Sequence, residues 1–328
     1  MSSTPLLHKG AKFVGEYGRT YLLTWPLVHR IGMNPNVWKA FDVNDPKCQY
    51  VIKGPRQMSK QNWVDFEREI KMQRYFDSVR YIRRMLDVIS HPDHTHPLMV
   101  LEPFQKTLWM ARMTRPLSTR EIKHIMKLTL LGLNEIHEKG LVHCDFKGEN
   151  VLLNGFDDDH PASDENKKPV NVQVKVSDLG TVMPPSEGKI TSITYRSPEA
   201  YLGKPWTSAT DIWSWSILFF HLLQAQRDFD SPGIYDSIIS SGTRQDKADA
   251  VLAAMCDDFD LRSIDYFQDC ALPPPRAERT HKLHWRDRLL ATGVPKEDIE
   301  FLSAIIQPDP RKRLTVAQIL GTKYLDVD

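Results

Sequence analysis

With 328 residues, of which 41% are hydrophobic and 26% charged, the chain can bury a sizeable core and is long enough for two domains or two lobes. A net charge of +1 provides no overall field that would attract nucleic acid or an anionic membrane, and four widely spaced cysteines without a CxxC pair disfavour a disulfide framework or a zinc site. Because no apolar run approaches the roughly 18 residues of a membrane span, we expect an intracellular protein, cytoplasmic or nuclear, that binds neither nucleic acid nor membrane.

Short runs of alternating apolar and polar residues occupy the first part of the chain. They predict β-strands in YLLTWPLVHRIG, VWKAFDV, CQYVIKG and PLMVLEPF. One helix interrupts them in SKQNWVDFEREIKMQRYF, with Ser59 as its N-cap and with Trp63, Phe66 and Ile70 spaced for one face. The first part is therefore predicted to be a sheet that carries one helix.

Helical patterns dominate after Glu102. In STREIKHIMKLTLLGLNEIHEKG, Ser118 and Glu121 form a capping box, and Gly140 ends a long amphipathic helix. The stretch ATDIWSWSILFFHLLQ is apolar nearly all round, as in a buried helix. Further helices are predicted in EDIEFLSAII and VAQILGTKYL.

The composition changes near residues 104–107, and we place a boundary there. We predict an N-terminal extension over residues 1–20, a β-rich lobe over 21–104 and a mainly helical lobe over 105–328. The fold class is α+β and bilobal, with a small antiparallel β lobe carrying one helix and a larger α-helical lobe.

The stretch HCDFKGEN, residues 143–150, is the first candidate site. A polar turn after a helix is the ordinary interpretation of such a stretch. Here VLL follows at once, and a second strand, VKVSDLG, ends in Asp178 and Gly180. Acidic residues on loops next to strands suit proton and metal chemistry.

These motifs resemble those of the eukaryotic protein kinases. The catalytic loop of that family, His-Arg-Asp followed by Lys and Asn, matches His143, Asp145, Lys147 and Asn150 at the same spacing. The later motifs follow in order: DLG at 178–180, SPE at 197–199, DIWS at 211–214 and Arg313, which in the family pairs with the glutamate of SPE. The resemblance spans roughly Arg30 to Leu325 and implies the bilobal kinase fold.

The resemblance implies a reaction, in which ATP and Mg²⁺ are used to phosphorylate serine or threonine in protein substrates. Asp145 would orient the substrate hydroxyl and accept its proton, and Lys147 would lie near the transferring phosphate. Asn150 and Asp178 would hold Mg²⁺, a cation that prefers oxygen ligands. A lysine at position 147 favours serine/threonine over tyrosine specificity.

The YVIK strand resembles the family's Val-Ala-Ile-Lys strand, which would make Lys53 the residue that binds the nucleotide phosphates. A solvated strand lysine is the alternative. The partner of Lys53 would be a glutamate on the next helix, and we prefer Glu69 to Glu67. A salt bridge between Lys53 and Glu69 would mark the active arrangement.

The stretch LMVLEPF resembles the last strand of the small lobe and the hinge. This implies that Leu101 guards the back pocket, and that the Glu102 carbonyl and the Phe104 backbone amide bind the adenine. Three apolar residues would enclose the ring: Val37 and Val51 above and Leu152 below.

The glycine-rich loop departs from the family pattern. In IGMNPNVWKA, Gly32 stands alone, and Pro35 has no backbone N–H to offer a phosphate. The glycine pair in GEYGRTY is an alternative that would require an extra strand, so we prefer Gly32. The nucleotide would then be held loosely, or mainly through Mg²⁺ and Lys53.

Cys144 replaces the arginine that in relatives binds a phosphate on the activation segment, which in this chain would run from Asp178 to Glu199. A cysteine cannot do this, so we expect a kinase that is constitutively competent or gated in another way. Ser192 occupies the family position that contacts the catalytic Asp and Lys. Cys144 is either a redox-sensitive thiol or a buried inert residue.

The stretch TYRSPEA, with Arg196 before SPE, resembles the corresponding stretch of the group that contains the cyclin-dependent and MAP kinases.

Two alternatives to an active kinase remain: a pseudokinase that acts as a binding module, and a small-molecule phosphotransferase. The polar insert at residues 156–169 is a solvated surface loop or a docking site, and a regulatory protein partner is possible.

Overall fold

The computed structural model describes residues 7–27, 35–55, 60–90, 97–163, 165, 168–275 and 283–327, without the side chains of 60–63. The chain divides into two compact units. The first comprises Met1–Phe104 with Ser177–Gly180, and the second comprises Gln105–Val176 with Thr181–Asp328. The predicted α+β class is confirmed, because one unit is built on an antiparallel sheet and the other mainly on helices.

The first unit contains a six-stranded antiparallel sheet of order β1-β2-β3-β4-β6-β5 and one long helix, α1. The elements are β1 Lys12–Val14, β2 Thr20–Pro26, β3 Val37–Asp42, β4 Gln49–Lys53, α1 Lys60–Tyr75, β5 Met85–Ile89 and β6 Leu98–Leu101. One face packs a core around Tyr21, Trp38 and Ile52, and the other packs Val51 and Leu101 with Phe66 and Ile70 of α1.

An extra hairpin at the sheet edge is the main difference from the predicted strands. β1 pairs with β2, and the turn between them is the GEYGR stretch, in which the Gly15 N–H donates to the Arg19 carbonyl at 2.9 Å. Leu7 and Phe13 are buried, so the described part of residues 1–20 packs as part of this sheet. The preferred Gly32 belongs to the β2–β3 connection and lies outside the described residues, as does Ser59.

The second unit combines a small sheet with helices around an aromatic core that includes Trp213, Trp215 and Phe219. Its elements are β7 Lys106–Thr107, α2 Leu108–Arg112, α3 Thr119–His137, β8 Val151–Asn154, β9 Gln173–Val176, α4 Pro198–Tyr201, α5 Ala209–Arg227, α6 Arg244–Asp258, α7 Trp285–Ala291, α8 Lys296–Ile305 and α9 Val316–Gly321. The predicted capping box of Ser118 and Glu121 begins α3, and α5 is buried on nearly all sides. In the part of the chain that the structure describes, no helix has both the length and the apolar character to cross a bilayer.

The polar insert connects β8 and β9. Lys168 pairs with Asp157 at 2.9 Å, and Lys106 pairs with Asp158. The Arg115 guanidinium lies over the ring of Phe156, which is buried. The described part of this loop is therefore fastened to the second unit by its first residues.

Candidate active site

Lys53, at the end of β4, is the centre of an ionic cluster in the first unit. Its Nζ donates to Glu69 Oε1 at 2.6 Å and to Asp178 Oδ1 at 2.8 Å. Burial by itself lowers the pKa of Lys53, but the carboxylates of Asp178 and Glu69 together outweigh it and the pKa is raised. Glu69 is on the buried face of α1 whereas Glu67 is exposed, so the structure pairs Lys53 with the preferred glutamate.

Gly180 allows the close approach of Glu69 to the DLG segment. A Cβ added at Gly180 would lie 3.2 Å from Glu69 Oε2, which is closer than ordinary contact. Its carbonyl accepts a hydrogen bond from Arg68 Nη2 at 3.1 Å, so a second residue of α1 holds the same segment. Asp178 itself has a positive φ of 63°, which is strained for a residue with a side chain.

Three of the residues predicted to surround the adenine lie together in the first unit. Val51 and Leu101 lie opposite each other on β4 and β6, and Val37 packs against the same cluster. Leu152 belongs to β8 of the second unit and is buried.

At the predicted hinge, the Glu102 carbonyl accepts a hydrogen bond from Arg83 Nε at 2.8 Å, a contact that no sequence pattern predicts. Among the described residues, the Phe104 amide finds no acceptor.

Asp145 and Lys147 form the reactive end of the HCDFKGEN loop in the second unit. Lys147 Nζ lies 2.5 Å from Asp145 Oδ2 and 3.0 Å from Ser192 Oγ. The Ser192 hydroxyl and backbone N–H donate to Asp145 Oδ1 at 3.0 and 3.2 Å. The expected contacts of Ser192 with both residues are present, and they fix the carboxylate in one orientation.

Asn150 ends a single 3₁₀ turn that follows Lys147. Its Nδ2 donates to the Asp145 carbonyl at 2.8 Å. The amide oxygen, bonded to the same carbon as Nδ2, is the atom of the Asn150 side chain that can ligate a metal ion. The carboxylate of Asp178 is the second predicted oxygen donor, and both fit the preference of Mg²⁺.

The buried carboxylate of Asp211 braces the loop from below. It accepts the backbone N–H groups of His143 at 2.7 Å and Cys144 at 3.0 Å, and it lies 2.9 Å from His137 Nε2. These bonds hold Cys144 at a positive φ of 65°, which turns the chain so that Asp145 leaves the core.

We expect Asp211→Asn to loosen this loop, because an amide offers one accepting oxygen and places N–H donors against a backbone N–H. Loss of one of these buried bonds costs about 1–3 kcal/mol, so the thermal midpoint and kcat should both fall. The matched control is Asp269→Asn, which alters an exposed aspartate paired with Lys204. Equal thermal midpoints and kcat values for the two variants would show that Asp211 does not brace the loop.

Cys144 is a packing residue rather than an accessible thiol. Its side chain is 1% exposed and lies in a small apolar cluster with Val142, Ala200 and Trp206. Of the two interpretations of this cysteine, the structure supports the buried one.

The activation segment of the second unit is held by hydrogen bonds that backbone carbonyls accept. The Thr191 hydroxyl donates to the Cys144 carbonyl at 3.0 Å, and Trp206 Nε1 donates to the Gly188 carbonyl at 3.1 Å. Arg196 Nε and Nη2 donate to the carbonyls of Ile190 at 2.7 Å and Thr191 at 3.0 Å. Arg196, which the sequence linked only to a kinase group, therefore orders the segment that precedes it.

Strained backbone concentrates at these segments. Among the described residues, five non-glycine residues have positive φ, and three of them are Cys144, Asp178 and Thr191. Such conformations persist where surrounding structure enforces them, and they cluster at functional sites. A β-branched threonine at a φ of 67° is the most unusual of the three.

The protein kinase domain family matches residues 32–325, and the chain belongs to this family. The predicted fold, a bilobal protein kinase, and the likeness to cyclin-dependent and MAP kinases are thereby confirmed.

Curated relatives include two MAP kinases of Wallemia ichthyophaga. HOG1A is 25% identical over 265 residues, which cover 79% of this chain and 64% of that protein. HOG1B is 29% identical over 220 residues, which cover 64% and 51%. The chain therefore spans about half to two thirds of the length of these relatives. A probable CTD kinase subunit alpha homolog of Encephalitozoon cuniculi is 27% identical over 290 residues, covering 85% of this chain and 78% of that protein.

Two solved structures share the fold. A chain of the CAK complex of Chaetomium thermophilum, bound to ATP-gamma-S, has a TM-score of 0.67 at 20% identity and covers 92% of this chain and 89% of that chain. A chain of the yeast RNA Pol II CTD kinase CTDK-1 complex has a TM-score of 0.69 at 16% identity, covering 99% and 97%. At these identities the likeness shows the fold alone.

Proposed function

We propose that the chain transfers the γ-phosphoryl group of ATP, with Mg²⁺, to serine or threonine hydroxyls of protein substrates. The observation that carries the proposal is the contact of Lys53 with Glu69 at 2.6 Å, the ion pair that marks the active arrangement of a kinase. Membership of the family itself implies the use of ATP and a divalent metal.

The proposal gives each side chain one role. Lys53 binds the nucleotide phosphates, and Glu69 positions Lys53. Asp145 orients the substrate hydroxyl and accepts its proton as the oxygen bonds to phosphorus and the bond to the leaving diphosphate breaks. Lys147 neutralises charge on the transferred group. Asp178 and Asn150 are the metal ligands, and Mg²⁺, when bound, offsets the negative charge of the phosphates.

The adenine ring of ATP would be bound by the backbone of Glu102 and Phe104. Its apolar neighbours would be Val37, Val51, Leu101 and Leu152. Val51 and Leu101 are buried apolar side chains of the kind that enclose an aromatic ring. The same proposal assigns Gly32 to the binding of the phosphates.

Serine/threonine specificity is tested by phosphoamino-acid analysis of a mixed protein substrate after incubation with labelled ATP and Mg²⁺. Label on phosphoserine or phosphothreonine is the expected result. Label on phosphotyrosine alone would contradict the specificity, and label on small hydroxyl compounds but not on protein would favour the small-molecule alternative.

The activation segment should not need a phosphate. Cys144 offers no cation, and Arg196 and Trp206 already bind the segment through its backbone carbonyls. We expect phosphatase-treated protein and Ser186→Ala to keep kcat/KM within about twofold of the untreated protein, because no charged pair is lost. Ser186 is the matched choice since its side chain is exposed, whereas Thr194 is buried and bonded to Asp236. A loss above tenfold in either case would show that a phosphate is required.

A regulatory protein partner and an intracellular site of action, cytoplasmic or nuclear, are part of the proposal. Both solved neighbours are kinases within complexes, which supports the search for a partner. The insert at residues 156–169 is a candidate contact for it. Co-purification of a defined subunit, lost on replacing the insert by a short neutral loop, would test that assignment.

A further inference from the structure

The guanidinium of Arg83 lies at the hinge carbonyl without a role in the proposed reaction. Arg83 precedes β5, and its Nε donates to the Glu102 carbonyl at 2.8 Å. The register there is fixed by backbone bonds, since the Glu102 N–H donates to the Arg84 carbonyl at 3.0 Å. Arg83 is half-buried, whereas the side chain of Arg84 is exposed.

Arg83 is a cation with donors to spare. Burial lowers the pKa of Arg83 to about 10, and the carboxylates of Glu102, Glu69 and Asp178 act in the opposite direction, so it is charged at neutral pH. Because Glu69 and Asp178 are the partners of Lys53, Arg83 also interacts electrostatically with the Lys53 cluster. Among the described residues its only acceptor is the Glu102 carbonyl, although a guanidinium carries five N–H donors.

The hydrogen-bond donors of Arg83 and the acceptor carbonyl of Glu102 would together distinguish one purine from another. A carbonyl oxygen has two lone pairs, of which Arg83 Nε uses one at Glu102. The 6-amino group of adenine is a donor and would face the donors of the guanidinium. The 6-oxo group of guanine or hypoxanthine is an acceptor that arginine bonds well, and the adjacent N1–H can donate to the Glu102 carbonyl.

We propose that Arg83 lets this site use 6-oxopurine nucleoside triphosphates as phosphoryl donors in addition to ATP. The inference rests on the proposed function, because it assigns Arg83 to the same nucleotide site. Specificity of this kind is strong when a mismatched base leaves a buried polar group unpaired.

The test compares ATP, ITP and GTP in steady-state transfer and in direct binding, using wild-type protein, Arg83→Met and Arg84→Met. ITP isolates the 6-oxo group, and GTP adds the 2-amino group. We expect kcat/KM for ITP to lie within about tenfold of that for ATP in the wild type. In Arg83→Met the ITP:ATP ratio of kcat/KM and of affinity should fall about tenfold to a hundredfold, the worth of one charged hydrogen bond. Arg84→Met should leave both ratios unchanged.

Failure of this inference can be distinguished from failure of the proposed function. If the ITP:ATP ratio is the same in Arg83→Met and the wild type while ATP transfer persists, this inference is overturned and the proposed function stands. If the wild type neither binds nor uses any of the three nucleotides, the proposed function fails and this inference with it. Should Arg83→Met unfold in a nucleotide-free melt, Arg83→Lys carries the test with the same expected fall, because lysine keeps the charge but lacks the planar fork.

Discussion

Asp145→Asn is expected to reduce kcat for phosphoryl transfer by about a hundredfold to ten-thousandfold. An amide cannot accept the hydroxyl proton. It also presents N–H donors to Lys147 Nζ and Ser192, which in the wild type both donate to the carboxylate. The measurement is transfer of labelled phosphate from ATP with Mg²⁺ to a basic protein substrate, for the wild type and the variant in parallel.

The control for this variant is Asp269→Asn, which makes the same chemical change at an exposed aspartate paired with Lys204. It should keep kcat at the wild-type level. Undiminished transfer by Asp145→Asn would refute the role given to Asp145. Nucleotide binding without transfer by the wild type would instead favour the pseudokinase, a binding module on the same fold.

Arg313→Met is expected to lower the free energy of unfolding by about 3–5 kcal/mol, the usual cost of leaving one member of a buried ion pair alone. Arg313 Nη1 and Nη2 bond the two carboxylate oxygens of Glu199 at 2.6 and 2.7 Å, and neither side chain has any exposed surface. Arg313 also donates to the carbonyls of Gln307 and Ala209. The pair therefore ties the SPE motif to the start of α5 and to the chain after α8.

Urea denaturation of Arg313→Met beside Lys296→Met measures this effect. Lys296 forms an exposed pair with Glu300, with 84% and 67% of the side chains exposed, and such pairs contribute little. The double variant with Glu199→Gln should recover part of the loss, since no buried charge remains. Equal midpoints for Arg313→Met and Lys296→Met would contradict the structural role of the pair.

The spacing of motifs along the chain predicted much of the site. The contacts of Lys53, Ser192 and Arg313 follow from residues that the sequence places in family order, although the roles of the site residues stay predictions. The choice between Glu67 and Glu69 depends on helix phase. Glu69 lies three residues after the buried Phe66, and the 3.6-residue period favours it on the same face.

Other features depend on tertiary contacts that no local pattern shows. β1 has three residues, too few for an alternating pattern to be recognised. In β5, the polar Asp87 interrupts the apolar pattern. Asp87 is nevertheless buried, because it accepts a hydrogen bond from the Tyr21 hydroxyl at 2.8 Å. The contact of Arg83 with Glu102 cannot be predicted from the local sequence, because it depends on the register between β5 and β6. The burial of Cys144 likewise depends on Trp206, which is distant in sequence.

The most direct test of the central claim uses protein whose activation segment is shown by mass spectrometry to carry no phosphate. This protein is incubated with γ-labelled ATP, Mg²⁺ and a protein substrate, beside Lys53→Met. We predict label on phosphoserine or phosphothreonine with the wild type and its loss with Lys53→Met. Nucleotide binding with no transfer by the unphosphorylated wild type would contradict the account of a kinase that is competent without an activating phosphate.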